Sequence, residues 1–313
     1  MAAGFLACAA PDLDFVIGFA GPVEYLLHHR GVTHSLILLP LWAVAFSWLL
    51  AKVLREPGGW RALYGVTALG LAAHIAGDVI TSFGTMLFAP FSDWRAAIGT
   101  TFIIDLWFSG IIVAGLLASA LLWGRRWPAV AALAVLVGYV GFQYVLRQQA
   151  LEFAAQRATP GAKMDAHPRP VSPFNWTVFV SDEETHRYAH VNLVRKEARR
   201  YQPGDGFIAR IDSPYMPLEQ AIWVTRARYG ETNQELIRAA WDSEALGFFR
   251  WFADVPAFDG LTDGSTCVWF ADLRFLTPGR DRMPFQFGAC RENATAPWRA
   301  YERAEGAAKV LLR

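Results

Sequence analysis

Leu63–Ser82 reads LYGVTALGLAAHIAGDVITS. A helix needs roughly 20 mostly apolar residues to cross a hydrocarbon core about 30 Å thick, and this stretch supplies them. It also carries His74 and Asp78, which at that spacing fall on one helix face, a turn apart. An ionisable residue within a span is costly and marks a functional site by default. The structural alternative is a buried His–Asp pair that only locks two helices. Isolated buried pairs seldom offset their desolvation, which weakens it.

Three further stretches have similar length: Leu36–Leu54, Phe102–Trp123 and Ala129–Leu146. A fifth apolar run, Ala2–Ala10, is half a span and lacks the basic start of a signal peptide. Residues 1–150 hold only 15 of the 57 charged residues, whereas 151–313 hold 42, so one soluble globule is excluded. A net charge of +1 gives no reason to expect nucleic acid. The predicted fold is an α-helical transmembrane bundle followed by a small soluble α+β domain. The bundle covers 1–150, a Pro-rich linker (TPGAKMDAHPRPVSP at 159–173) closes 151–173, and the domain fills 174–313.

Short loops rich in Lys and Arg stay in the cytoplasm. Lys52, Arg55 and Arg61 flank one turn, and Arg125 and Arg126 fill another. Both turns are therefore expected inside, with the loop 83–101 and everything after Leu146 outside. That describes a multi-pass protein of the bacterial inner membrane with its C-terminal domain outside the cytoplasm.

In that domain, NWTVFV-SDEETH-RYAHVNLV (175–194) reads as a hairpin, and Asn233–Phe252 has helical spacing. His186 and His190 read as surface residues of the hairpin, and with His167 they form no catalytic constellation. Cys267–Phe275 and Pro284–Cys290 read as strands of a second hairpin centred near Gly279, which puts Cys267 opposite position 291. A disulfide between Cys267 and Cys290 is expected in an oxidising compartment.

The unusual residues gather in the apolar half. PDLDF holds Asp12 and Asp14, a pair that can ligate a cation or cap a helix end. HHRGVTHS holds His29 and His34 around Arg30-Gly31, where glycine permits a tight turn. Thr33 is expected to cap the following helix, and His28 to sit on the surface a turn after Glu24. By the topology above, His29, His34, His74, Asp78 and Asp105 all reach the outer membrane face. A mixed His and carboxylate set predicts a divalent metal, Zn²⁺ or another first-row ion, as one or two ions. Cys8 lies in an apolar run and the other two cysteines are remote, so no thiolate ligand is expected.

PDLDF, HHRGVTHS and HIAGDVITSFGT, in this order, resemble the bacterial membrane-bound metal-dependent hydrolase family, also described as LexA-binding, inner-membrane-associated hydrolases. The resemblance spans roughly residues 7–110, and Ile103–Asp105 with the C-terminal half resembles the longer members. It implies ligands at Asp12, Asp14, His29, His34, His74 and Asp78. The His-x-x-x-Asp element is also similar to that of zinc-dependent phospholipases C. Family members begin with an additional helix carrying an Asp-x-x-Thr-His-like motif. The resemblance therefore implies that Met1 falls inside the second helix and that one His is missing.

The expected function is hydrolysis of a phosphoester or lipid-linked substrate by a metal-activated water. Arg30 would meet an oxyanion, Asp12 or Asp78 would act as general base, and Thr81 and Ser82 would position substrate. Two rival classes remain: a non-catalytic, metal-stabilised membrane binding protein, and an ion- or proton-handling transporter. The latter is expected to show broken helices or repeats, and the sequence displays neither. The expected partners are the lipid bilayer and an unidentified small-molecule or lipid substrate.

Overall fold

The computed structural model describes residues 2–262, 266–280, 283–303 and 309–312; Met1, where the sequence reading places a truncated helix, lies outside them. The chain divides into two compact units, Met1–Ile98 and Gly99–Leu311.

The first unit is helical. Helix α1 (Ala2–Ala9) runs on into a 3₁₀ helix, Pro11–Ala20. Together they make a 19-residue apolar run, so the half-span expected at Ala2–Ala10 is twice that long. Pro11 does not stop it, because a proline opening a helical segment lacks only an N–H that has no partner there. Next come α2 (Pro22–His28), a 3₁₀ turn (Val32–His34), α3 (Leu39–Val53) and α4 (Gly59–Val79). Small residues let α1, α3 and α4 approach closely: Ala3, Ala7 and Leu50 form one cluster, and Ala10, Ala43 and Leu71 another. At Gly70 any Cβ would meet the Gly4 carbonyl oxygen at 3.0 Å.

Pro22–His34 and Leu39–Val53 together have the length and composition of a span, but they are bent by 82°. The sequence reading shows no broken helix; the structure has one, with its break between His34 and Leu39.

The second unit opens with α5 (Leu106–Leu121) and α6 (Trp127–Ala155). Asp105 caps α5 by accepting from the backbone N–H groups of Trp107 and Phe108. The cap leaves 16 helical residues, about 24 Å, so the span expected over Phe102–Trp123 is shorter than a bilayer core. Helix α6 is instead 29 residues long, about 43 Å, and outlasts the predicted Ala129–Leu146. Among the described residues, three helical runs are thus long and apolar enough to cross a membrane, or four if the bent pair counts as one. The architecture is the one expected: an apolar helical region followed by an α+β domain.

The last turns of α6 lie beneath the first sheet, where Leu146, Ala150 and Ala154 pack with Trp176, Val178, Ala189 and Val191. That sheet holds β1 (Lys163–Pro168), β2 (Asn175–Ser181) and β3 (Thr185–Asn192), with β4 (Met216–Pro217) and β5 (Trp223–Ala227) both on β3. Residues 163–168, read as linker, are therefore a strand in register with β2. A short α7 (Phe207–Asp212) follows β3 in the chain. The helix expected at Asn233–Phe252 is broken after Asp242 into α8 (Gln234–Asp242) and α9 (Gly247–Phe252).

The second sheet is a meander of β6 (Pro256–Thr262), β7 (Cys267–Asp272), β8 (Gln286–Cys290), β9 (Arg299–Arg303) and β10 (Lys309–Leu311). Cys267 pairs directly with Cys290, one residue from the predicted register, and the two are disulfide-bonded. His186 is buried rather than on the surface: its ring nitrogens contact Ser181 Oγ at 2.8 Å and the Pro256 carbonyl at 2.7 Å. The sequence reading misplaces it because the second sheet covers this face of the hairpin.

Candidate metal centre

The turn after α2 shapes the site. Arg30 takes a left-handed backbone conformation (φ 59°) and Gly31 follows, where a Cβ would stand 2.7 Å from the His28 carbonyl oxygen. Only glycine fits there. The tight turn brings His29, Arg30, Thr33 and His34 round one carboxylate, that of Asp14. Its Oδ1 lies 2.7 Å from His29 Nδ1, while Oδ2 accepts from the Arg30 backbone N–H (3.0 Å) and the Thr33 hydroxyl (2.8 Å). Thr33 therefore does not cap the next helix. Ser35 Oγ accepts from the backbone N–H groups of Ile37 and Leu38 instead.

Proton bookkeeping orients His34. Thr33 gives its hydroxyl proton to Asp14, so its oxygen accepts from His34 Nδ1–H at 2.9 Å. That tautomer leaves Nε2 as a bare lone pair, the arrangement that outer partners impose on metal-binding histidines. Nε2 faces Asp78 Oδ2 at 3.0 Å, His74 Nε2 at 3.1 Å and Asp12 Oδ1 at 3.7 Å. His74 Nε2 completes the group, 3.4 Å from Asp12 Oδ1 and 3.5 Å from Asp78 Oδ2. Donors held 2.0–2.1 Å from a tetrahedral ion lie about 3.3–3.4 Å from one another, and the five distances scatter around that value.

One atom argues further for a cation. Asp78 Oδ2 is buried and lacks a hydrogen-bond partner among the described residues, although His34 Nε2 stands close by. An orphaned carboxylate oxygen beside two imidazoles is unfavourable unless a positive ion meets it. The other oxygen, Oδ1, is held by Arg30 Nη2 at 3.0 Å.

All six predicted ligands are brought together in two overlapping groups: Asp12, His34, His74 and Asp78, and Asp12, Asp14 and His29. Asp12 belongs to both, and its side chain is 58% exposed, so the site opens on that side. Arg30, read as meeting an oxyanion, is only 5% exposed; its guanidinium is closed on Asp78 and on Thr81 Oγ1 at 2.9 Å. Thr81 in turn donates to the Asp78 carbonyl. His28 lies outside the cluster, 3.2 Å from Glu24. Asp105 caps α5 and accepts from the Tyr139 hydroxyl at 2.9 Å.

Residues 1–150 match the sequence model of a family described as YdjM inner membrane protein. An uncharacterized protein of Bacillus subtilis (strain 168), YfhP, is 27% identical over 145 residues, 46% of this chain. The match spans 43% of that relative, less than half its length. No solved structure matches the chain. This match and the apolar helices support an inner-membrane location.

Proposed function

We propose that this chain is a membrane-embedded, metal-dependent hydrolase of a phosphoester or lipid-linked substrate, with Zn²⁺ as its first ion. The observation that carries the reading is the convergence of Asp12, His34, His74 and Asp78 at the spacing of a tetrahedral donor set, open at Asp12. A divalent cation in such a site supplies Lewis acidity, polarising the scissile group and making a water acidic near neutral pH.

The chain's own groups do the rest. Thr33 fixes the tautomer of His34, and Arg30 holds one oxygen of Asp78 so that the other faces the centre. Arg30 is thus a positioning residue. Asp14 braces the turn through both its oxygens. Asp12 is the exposed carboxylate of the set, the one an incoming water meets, and it is our choice for proton acceptor. Asp12, Asp14 and His29 are the group for a second ion. A substrate at headgroup level suits a membrane location. The basic turns at 52–61 and 125–126 support a C-terminal domain outside the cytoplasm.

One observation favours a rival: the 82° break at the site is the kind of interrupted helix that ion-handling proteins use. Purified full-length protein separates the two. Elemental analysis should find one or two divalent ions per chain, and a panel of phosphoesters and phospholipids should include one hydrolysed reversibly with chelation. Bound metal with ion flux into proteoliposomes and no hydrolysis would favour transport. Bound metal with neither activity would leave a structural site and sink the hydrolase.

A further inference from the structure

The two faces of the first sheet differ in chemistry. One face carries Trp176, Val178, Ala189 and Val191 against α6. The opposite face carries Thr177 on β2 directly across from His190 on β3, and Arg169 follows the end of β1. Arg169 is 5% exposed and Tyr215 fully buried. An inward sheet face is ordinarily apolar, so a buried cation there needs an account.

Arg169 has no carboxylate within ion-pair distance among the described residues. Its Nε donates to Thr177 Oγ1 and its Nη1 to the Arg274 carbonyl at 3.0 Å, but Nη2 is buried without a partner. The nearby carboxylates are committed elsewhere. Asp272 is held by Arg274 at 2.7 Å, and Asp212 by Arg195 at 2.8 Å and Arg199 at 3.0 Å.

Thr177 Oγ1 accepts from Arg169 Nε and lies 2.8 Å from His190 Nδ1. The Tyr215 ring packs edge-on against His190, with centroids 5.6 Å apart, and its buried hydroxyl has no partner among the described residues. Burial and the neighbouring Arg169 hold His190 down to about 3, so the ring is neutral.

We propose that Arg169, His190 and Tyr215 form an oxyanion site in the α+β domain, suited to a phosphate group, either free or in a lipid headgroup. Arg169 Nη2 and the Tyr215 hydroxyl are both buried with no partner among the described residues, and the His190 ring packs against that of Tyr215. A dianion with several acceptor oxygens accepts from both, and the guanidinium supplies the charge. The site belongs to the second unit and adds a binding role beyond the proposed hydrolysis.

Full-length protein in phospholipid-free detergent tests it, with inorganic phosphate and a soluble short-chain phosphatidate as separate titrants against chloride at equal ionic strength. We expect saturable binding of at least one titrant, read by calorimetry. Tyr215→Phe, which removes only the hydroxyl, should weaken it about tenfold, and Arg169→Met should abolish it. Binding of inorganic phosphate identifies the free anion, and binding of phosphatidate alone identifies the headgroup. Binding of neither, or equal binding by wild type and Tyr215→Phe, would overturn the proposal.

Discussion

The Nε2 atoms of His34 and His74 lie 3.1 Å apart. Thr33 holds the proton of His34 on the far nitrogen, so a bare lone pair points at the second ring. Two imidazole nitrogens that close need a shared proton or a cation between them, and two carboxylates complete the surroundings.

His34→Ala and Asp78→Ala should each lose bound metal while the protein still inserts in the membrane. Arg30→Gln removes the guanidinium that supports Asp78 and Thr81 and should lower metal affinity by roughly 10- to 100-fold. Elemental analysis and chelator competition measure both effects. Unchanged metal content in His34→Ala and Asp78→Ala would dismiss the assignment.

Thiol counting under denaturing, non-reducing conditions should find one reactive thiol per chain, that of Cys8. The bridge closes a loop of sequence separation 23, so Cys267→Ser should cost roughly 3 kcal/mol of domain stability. Three reactive thiols would refute the bridge.

A reporter that fluoresces only in the cytoplasm, fused to the C-terminus, should stay dark. The motive is the pair of basic turns around Arg55 and at Arg125–Arg126. A bright fusion would reverse the proposed topology.

The α+β domain should lose stability as pH falls from 7 to 5. Burial lowers both His186 and His190, the latter to about 3, whereas unfolded histidine binds a proton near 6.5. Between those values the unfolded chain holds more protons, so acid favours unfolding, by at most ~1.4 kcal/mol per pH unit for each ring. His190→Asn should flatten the dependence, read as the domain's thermal midpoint against pH. An identical slope in wild type and variant would count against the buried neutral ring.

Several features were legible because they are local. Apolar length marked Leu63–Ser82 and Ala129–Leu146, and alternation marked the hairpin 175–194. The spacing of His74 and Asp78 put both on one face of α4, since a helix repeats every 3.6 residues whatever surrounds it. Helix ends were read less well. The length of α5 depends on a single cap at Asp105, and that of α6 on the sheet packed along its last turns.

Residue chemistry and periodicity thus determined by themselves that apolar helices precede an α+β domain, and which His and Asp residues were candidates. Tertiary structure alone decided how those residues divide their work. Asp14 became a brace because three groups 15 to 19 residues away converge on it. Arg30 turned from an incoming anion to Asp78, 48 residues on. The helical run bent between His34 and Leu39, and Arg169 was buried with no counter-ion among the described residues. Each outcome depends on which distant segments share a space, and desolvation and hydrogen-bond satisfaction act only once that space is closed to water.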